Sequence, residues 1–256
     1  SVEPIDAGGV DAEWVVARGI TSEAALLCLP GGAYSLGSLN TNRWLSSLLS
    51  AVTGRRVLSI AYRLAPEHRF PAAVDDAVAA YRWLLAQGLP AERITIAGNS
   101  AGGGLALAAL VALRDLDVAL PLAGIGLSPW TDLTGSGASV MACATTDVLL
   151  DADGLRSSAA LYADRSQHEH PYASPLFADL HGLPPILLQA SRAEILRDDT
   201  TRFAERARQQ GVEVTEQLYD DMPHVWHMFA GVLPEADHAI EAIGQWLATA
   251  EQASGG

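Results

Sequence analysis

The sequence predicts an α/β fold in which a mostly parallel sheet is covered by helices on both faces. Three observations predict it. Short apolar runs of strand length recur along the chain, and helix-period segments alternate with them. Several of the runs are apolar throughout instead of alternating with polar residues, the pattern of strands buried on both faces. At 256 residues the chain can bury one sizeable core, so a single domain spanning 1–256 is expected.

The elements follow in order. Glu13-Trp14-Val15-Val16 reads as a strand, and Ala24 to Leu29 as the next, stopped by Pro30-Gly31-Gly32. Arg56 to Ile60 is a third. Residues 72–87 place Val74, Ala77, Val78, Tyr81, Leu84 and Leu85 on one helical face, with Gly88 as the stop. The strand Ile94 to Ala97 precedes an Ala- and Leu-rich helix over 102–114, and Gly124 to Leu127 is a further strand. From about Gly135 to Pro175 no strand is expected, only turn residues and a helix-like piece from Asp153 to Ala163. This 135–175 stretch reads as a small cap or lid excursion from the sheet. Ile186 to Gln189 and Val212 to Leu218 complete the strands. A helix over 198–210 opens on Asp198-Asp199-Thr200, read as N-cap chemistry, and ends at Gly211. The last helix, 235–251, aligns Ala236, Ile240, Ile243 and Trp246, and Ala253 to Gly256 reads as a frayed tail.

Composition excludes several function classes. Thirty acidic against sixteen basic residues leave a net charge of −14, which argues against nucleic acid or an anionic membrane surface as partner. Arg, Asp, Gly or Pro interrupts every candidate membrane span. Two cysteines, Cys28 and Cys143, are too few for a disulfide framework. With no leader visible, a cytoplasmic location is expected. The oligomeric state is left open, with a homodimer as the candidate.

The most informative segment is Gly98-Asn99-Ser100-Ala101-Gly102. It matches G-x-S-x-G, follows a strand directly and opens a helix. Such a turn lifts the serine hydroxyl clear of the sheet, and its glycines avoid Cβ clashes. The helix N-terminus behind it offers amide hydrogens to developing negative charge. A dinucleotide-binding turn is the rival, but the G-x-G-x-x-G spacing is missing. Ser100 is therefore the candidate nucleophile. In this arrangement the acid follows the serine and the histidine comes last. His224 lies just past the strand ending at Leu218, where a base must hang to reach Ser100; His227 competes with it, and His238 falls inside the last helix. Glu194 is the first carboxylate after the strand Ile186–Gln189, whereas Asp198 and Asp199 are read as helix caps.

These residues and their neighbours resemble the hormone-sensitive-lipase-like esterases, bacterial family IV, of the α/β-hydrolase fold. Leu29-Pro30-Gly31-Gly32-Ala33-Tyr34 resembles the family's H-G-G-G-[FY] loop, and Tyr62-Arg63-Leu64-Ala65-Pro66-Glu67 its Y-R-L-A-P-E block. Gly98 to Gly103 is similar to G-D-S-A-G-G, and Met222-Pro223-His224 to the base motif; Ser128-Pro129-Trp130-Thr131-Asp132-Leu133 and Ser174-Pro175-Leu176 are further matches. The resemblance runs over nearly the whole chain. It implies a triad of Ser100, Glu194 and His224, and an oxyanion hole made by the N–H groups of Gly32, Ala33 and Ala101. Gly31 belongs to the oxyanion loop, and Tyr34 is a candidate pocket residue.

Four departures bear on rate and substrate preference. Pro30 stands where the family has His, Ala33 replaces a glycine, Asn99 replaces Asp beside the nucleophile, and the acid is Glu where Asp is usual. The oxyanion loop also begins early, at Leu29, leaving little sequence ahead of it for cap helices.

His168-Glu169-His170 is a poor metal set, and neither metal nor cofactor is expected. Arg63 and Glu67 read as an ion pair or turn element. Met222, Trp226, Met228 and Phe229 read as core packing, with the pocket wall as alternative. The expected function is a serine hydrolase cleaving carboxylic esters of short to medium acyl chain through an acyl-enzyme on Ser100. A deacetylase or lactonase with the same triad is the alternative. A non-catalytic small-molecule binding protein is disfavoured because the sequence keeps His224.

Overall fold

The computed structural model describes residues 1–254. Eight strands form one sheet in the order β1-β2-β4-β3-β5-β6-β7-β8. They are β1 (Val2–Asp6), β2 (Asp11–Val15), β3 (Ala25–Leu29), β4 (Arg56–Ile60), β5 (Ile94–Asn99), β6 (Ala123–Leu127), β7 (Ile186–Ser191) and β8 (Val214–Tyr219). The ladder from β4 to β8 is parallel, whereas β1 and β2 join it as an antiparallel hairpin at one edge.

Seven helices accompany the sheet among the described residues: α1 (Leu39–Thr53), α2 (Ala72–Ala86), α3 (Ala101–Asp115), α4 (Ser139–Ala142), α5 (Ala152–Tyr162), α6 (Arg197–Gln209) and α7 (Pro234–Ser254). The central strands alternate between two cores. Leu27, Leu58, Ile96 and Leu188 pack with α2, α3 and α6 on one face. Leu26, Val57, Ala97 and Leu187 pack with α1 and α7 on the other. This two-sided burial explains why the strands read as continuous apolar runs.

The predicted strands and helices are present with ends shifted by a few residues. Three elements were not anticipated. β1 is exposed along most of its length, and α4 is a single turn. α1 is rich in Ser, Thr and Asn, which blurs its apolar face, although its caps are well formed. Ser38 accepts from Thr41 N in a reciprocal capping box, and Gly54 closes the helix at φ 66°.

Two expectations are corrected. Asp198 and Asp199 do not cap α6; the cap position is Leu196, and both carboxylates reach outward from the first turn to other segments. Ala253 and Ser254 continue α7 instead of fraying, while Gly255 and Gly256 lie outside the described residues. Segment 135–175 carries helical turns but no strand. No described helix is long and apolar enough to cross a membrane.

Candidate active site

The carboxyl ends of the parallel strands deliver the site. β5 ends at Asn99, α3 starts at Ala101, and Ser100 stands between them at φ 56°, ψ −124°, a backbone strained for any residue but glycine. Two glycines make the turn sterically feasible. A Cβ on Gly98 would run into the Gly102 carbonyl, and one on Gly102 into that of Leu29. The strain is held by bonds on both sides: Ser100 N donates to Leu127 O at 2.8 Å, and Trp130 N donates to Ser100 O at 3.0 Å.

His224 hangs in the loop after β8, and Glu194 in the loop after β7. His224 Nδ1 lies 2.6 Å from Glu194 Oε2, and its Nε2 lies 2.8 Å from Ser100 Oγ. A carboxylate at Nδ1 demands the Nδ1–H tautomer, which leaves the Nε2 lone pair facing the serine hydroxyl. Glu194 is 1% exposed and His224 8%, so little water competes for these bonds. The other Glu194 oxygen, Oε1, accepts from Ser191 N at 2.7 Å and from Ser128 Oγ at 2.9 Å.

His227, the competitor, points elsewhere. Its Nε2 lies 2.8 Å from Gln189 Oε1. The Gln189 amide already donates to Gln217 and to Ala239 O, so His227 must be the donor. Its Nδ1 is buried without a partner among the described residues. Burial, aided by repulsion from His224, pushes its pKa down to about 3 and keeps the ring neutral.

The oxyanion loop follows β3. Gly32 has φ 134°, and a Cβ there would strike the Leu36 carbonyl. Ala33 and Tyr34 both adopt positive φ, so the departure to alanine at 33 is accommodated at some backbone cost. The N–H groups of Gly32 and Ala33 donate to no acceptor among the described residues, and that of Ala101 heads α3 as a free first-turn donor. The 62–66 segment braces the loop at both ends: Tyr62 Oη donates to Pro30 O at 2.6 Å, and Ala65 N donates to Tyr34 O at 2.8 Å. Gly31 N donates to Asn99 Oδ1 at 3.1 Å, so the residue beside the nucleophile anchors the loop as well. Tyr34 is 1% exposed and stacks on Tyr162 at 3.8 Å, which places it inside a ring cluster instead of on an open pocket wall.

The remaining charged and aromatic residues fall into place. Arg63 pairs with Asp76 on α2 at 2.7 Å and not with exposed Glu67. The His168 ring contacts Ala163 O, and that of His170 packs between Phe70 and Tyr172. Trp226 is core, Met222 and Met228 are partly buried against it, and Phe229 is about half exposed. A cavity of about 560 Å³ is walled by residues 133–138, Trp130, Met141 and the start of α5; none of the triad or loop residues lines it.

Three polar contributors escaped sequence reasoning: Ser128, Ser191 and Tyr62. Ser128 and Tyr62 act across gaps of 66 and 32 residues, which pattern reading cannot bridge, and Ser191 acts on Glu194 through its backbone N–H, which its residue type does not reveal. Ser128 was visible only as part of a matching block, with nothing to indicate its partner 66 residues away.

Comparison with known proteins identifies the family of the chain. A family model described as alpha/beta hydrolase fold matches residues 26–228. An acetyl-hydrolase of Streptomyces hygroscopicus is 47% identical over 96% of this chain and 82% of its own length. An esterase of Acinetobacter venetianus is 38% identical over 96% of this chain and 81% of its own. A crystal structure of an esterase from the bacterial hormone-sensitive lipase family superposes with a TM-score of 0.96 at 47% identity, covering 98% of this chain and 84% of that one.

Proposed function

As a member of the α/β-hydrolase fold family, among esterases akin to bacterial hormone-sensitive lipase, this chain hydrolyses carboxylic esters, and we propose that it does so through an acyl-enzyme on Ser100. The observation that carries the reading is the continuous relay from Glu194 Oε2 through His224 to Ser100 Oγ, at 2.6 and 2.8 Å.

His224 Nε2 takes the Ser100 proton as Oγ attacks the ester carbonyl carbon. The resulting oxyanion lies among the N–H groups of Gly32, Ala33 and Ala101, donors fixed before reaction; one such donor is worth on the order of 10²–10³ in rate. Collapse breaks the bond to the alcohol oxygen, which leaves with the proton from His224 Nε2. Water then attacks the acyl-enzyme, giving up a proton to the same nitrogen, and Ser100 leaves with it. Glu194 keeps the imidazole in the Nδ1–H tautomer and balances the imidazolium charge.

Short to medium acyl groups are the proposed substrates. The acetyl-hydrolase name of a 47% identical relative supports the short end. Segment 135–175, which carries α4, α5 and much of the wall of the 560 Å³ cavity, is proposed as the cap.

The test is Ser100→Ala, assayed on p-nitrophenyl esters of rising chain length beside lactones and N-acetyl compounds. Turnover should fall by at least about 10³-fold with the fold intact. A fluorophosphonate adduct mapped by mass spectrometry should sit on Ser100 in the parent and vanish in the variant. Parental hydrolysis by Ser100→Ala would overturn the reading.

A further inference from the structure

We propose that Ser128 is a positioning residue for ester hydrolysis, its hydroxyl fixing the acid and the turn that carries the base against one another. The proposal rests on the triad reading above and extends it. With Glu194 Oε2 engaged by His224, the orientation of the carboxylate depends on what holds Oε1. Two donors do. Ser191 N is at the end of β7, the strand that leads into the Glu194 loop. The Ser128 hydroxyl comes from the end of a different strand, β6, and so refers the carboxylate to the rest of the sheet.

The same oxygen has a second bond. It accepts the N–H of Val225, the residue after His224, at 3.3 Å. One fully buried hydroxyl thus links the acid to the base turn. The turn needs such a tie, because Val225 is a β-branched residue held at φ 52°, ψ 44°. The opposite side of the turn has a matching one, where Met222 N donates to Ser191 Oγ at 3.2 Å. The backbone around Ser128 also reaches the nucleophile: Leu127 O accepts Ser100 N–H, and Ser128 N is anchored to Gln189 O at 2.7 Å.

Ser128 itself sits at φ 46°, a conformation glycine adopts without penalty. A serine there gives up backbone comfort and keeps a hydroxyl. The two bonds of that hydroxyl are the return on that strain.

This suggests a test that separates positioning from folding. Ser128→Gly deletes the hydroxyl while suiting the backbone; Ser128→Ala deletes it and keeps the strain. On p-nitrophenyl acetate both variants should lose kcat roughly tenfold to a hundredfold, the effect of removing a hydrogen bond to a charged group. KM should change less than about twofold, since the bond serves the reacting state and not substrate binding. Ser128→Gly should unfold thermally no lower than Ser128→Ala. A Ser128→Gly enzyme with parental kcat overturns the proposal. So does a loss confined to KM, or one that follows the folded fraction measured by circular dichroism on the same samples. Ser100→Ala run in parallel keeps the two readings apart. If it is inert while Ser128→Gly is fully active, the positioning role fails and the triad stands; if Ser100→Ala is fully active, both fail.

Discussion

His224 and His227 lie three residues apart and occupy opposite environments. His224 has a carboxylate on one nitrogen and a serine hydroxyl on the other. His227 faces Gln189 and lies tilted against Trp226 with ring centroids 4.0 Å apart, with one nitrogen left without a partner among the described residues. Their alanine variants should therefore fail differently. His224→Ala should cut kcat by about 10³-fold or more with little change in stability. His227→Ala opens a hole beside Trp226 and strands Gln189 Oε1, so it should cost about 2–3 kcal/mol of stability and leave kcat per folded molecule within tenfold. Equal losses of kcat in the two would undo the choice of base. At this scale the sequence was informative where residue type and order are both constrained: the serine in its glycine frame, and the histidine and first carboxylate after late strands. Ser128 and Tyr62 were illegible, because a hydroxyl's meaning lies in its partner, and only the fold supplies partners.

At the scale of elements, the tie between the segment after β6 and α6 runs through Asp199. Its Oδ2 accepts the N–H groups of Thr131 and Asp132 at 2.7 and 2.8 Å, joining segments 68 and 67 residues apart. In the sequence alone, Asp198-Asp199-Thr200 reads as N-cap chemistry. The helix was legible from its own pattern; the outward reach of its side chain was not. The same limit hid α1, whose polar composition masks a face that becomes evident only when Leu45 and Leu49 pack beneath the sheet. Burial, and then the neighbouring Asp132 carboxylate, raise the Asp199 pKa well above the usual carboxylate range, against the two N–H bonds that lower it. A group with its folded-state value raised contributes stability that is present below the unfolded value and lost as pH climbs through the folded one. Asp199→Asn keeps an oxygen for both N–H groups and does not titrate. Its stability relative to the parent should therefore improve as pH rises from about 4 to 8. Urea unfolding of both proteins at pH 5 and pH 8 measures this; a difference that is flat or shrinks with pH would contradict it.

For the whole molecule, the two cores on either side of the sheet meet different fates in acid. The face covered by α1 and α7 contains a buried polar node in which His227 donates to Gln189, and Gln189 in turn donates to Gln217 of β8 and to Ala239 of α7. The Gln189 amide thus joins β7, β8 and α7, and one neutral imidazole satisfies its oxygen. The folded pKa of His227 is depressed from its ordinary 6.5 to about 3. Between those values the unfolded chain binds a proton that the folded chain refuses, so stability rises with pH across this window and falls as pH is lowered through it. One such group accounts for a slope of ~1.4 kcal/mol per pH unit. Carboxylates held below their ordinary values add to the acid loss: Asp132, where hydrogen bonds from Ser136, Thr134 and Arg202 outweigh burial, and Asp198, where burial is outweighed by Ser139 N–H and Arg197. His227→Gln retains a donor toward Gln189 and removes the titration, so it isolates the histidine's share. Although destabilised at pH 7, the variant should lose stability less steeply between pH 6 and 4, by about one proton's slope, in urea unfolding followed by tryptophan fluorescence. Parallel curves for parent and variant would mean that the node takes up its proton without opening, and that acid unfolding begins at the carboxylates on the opposite face.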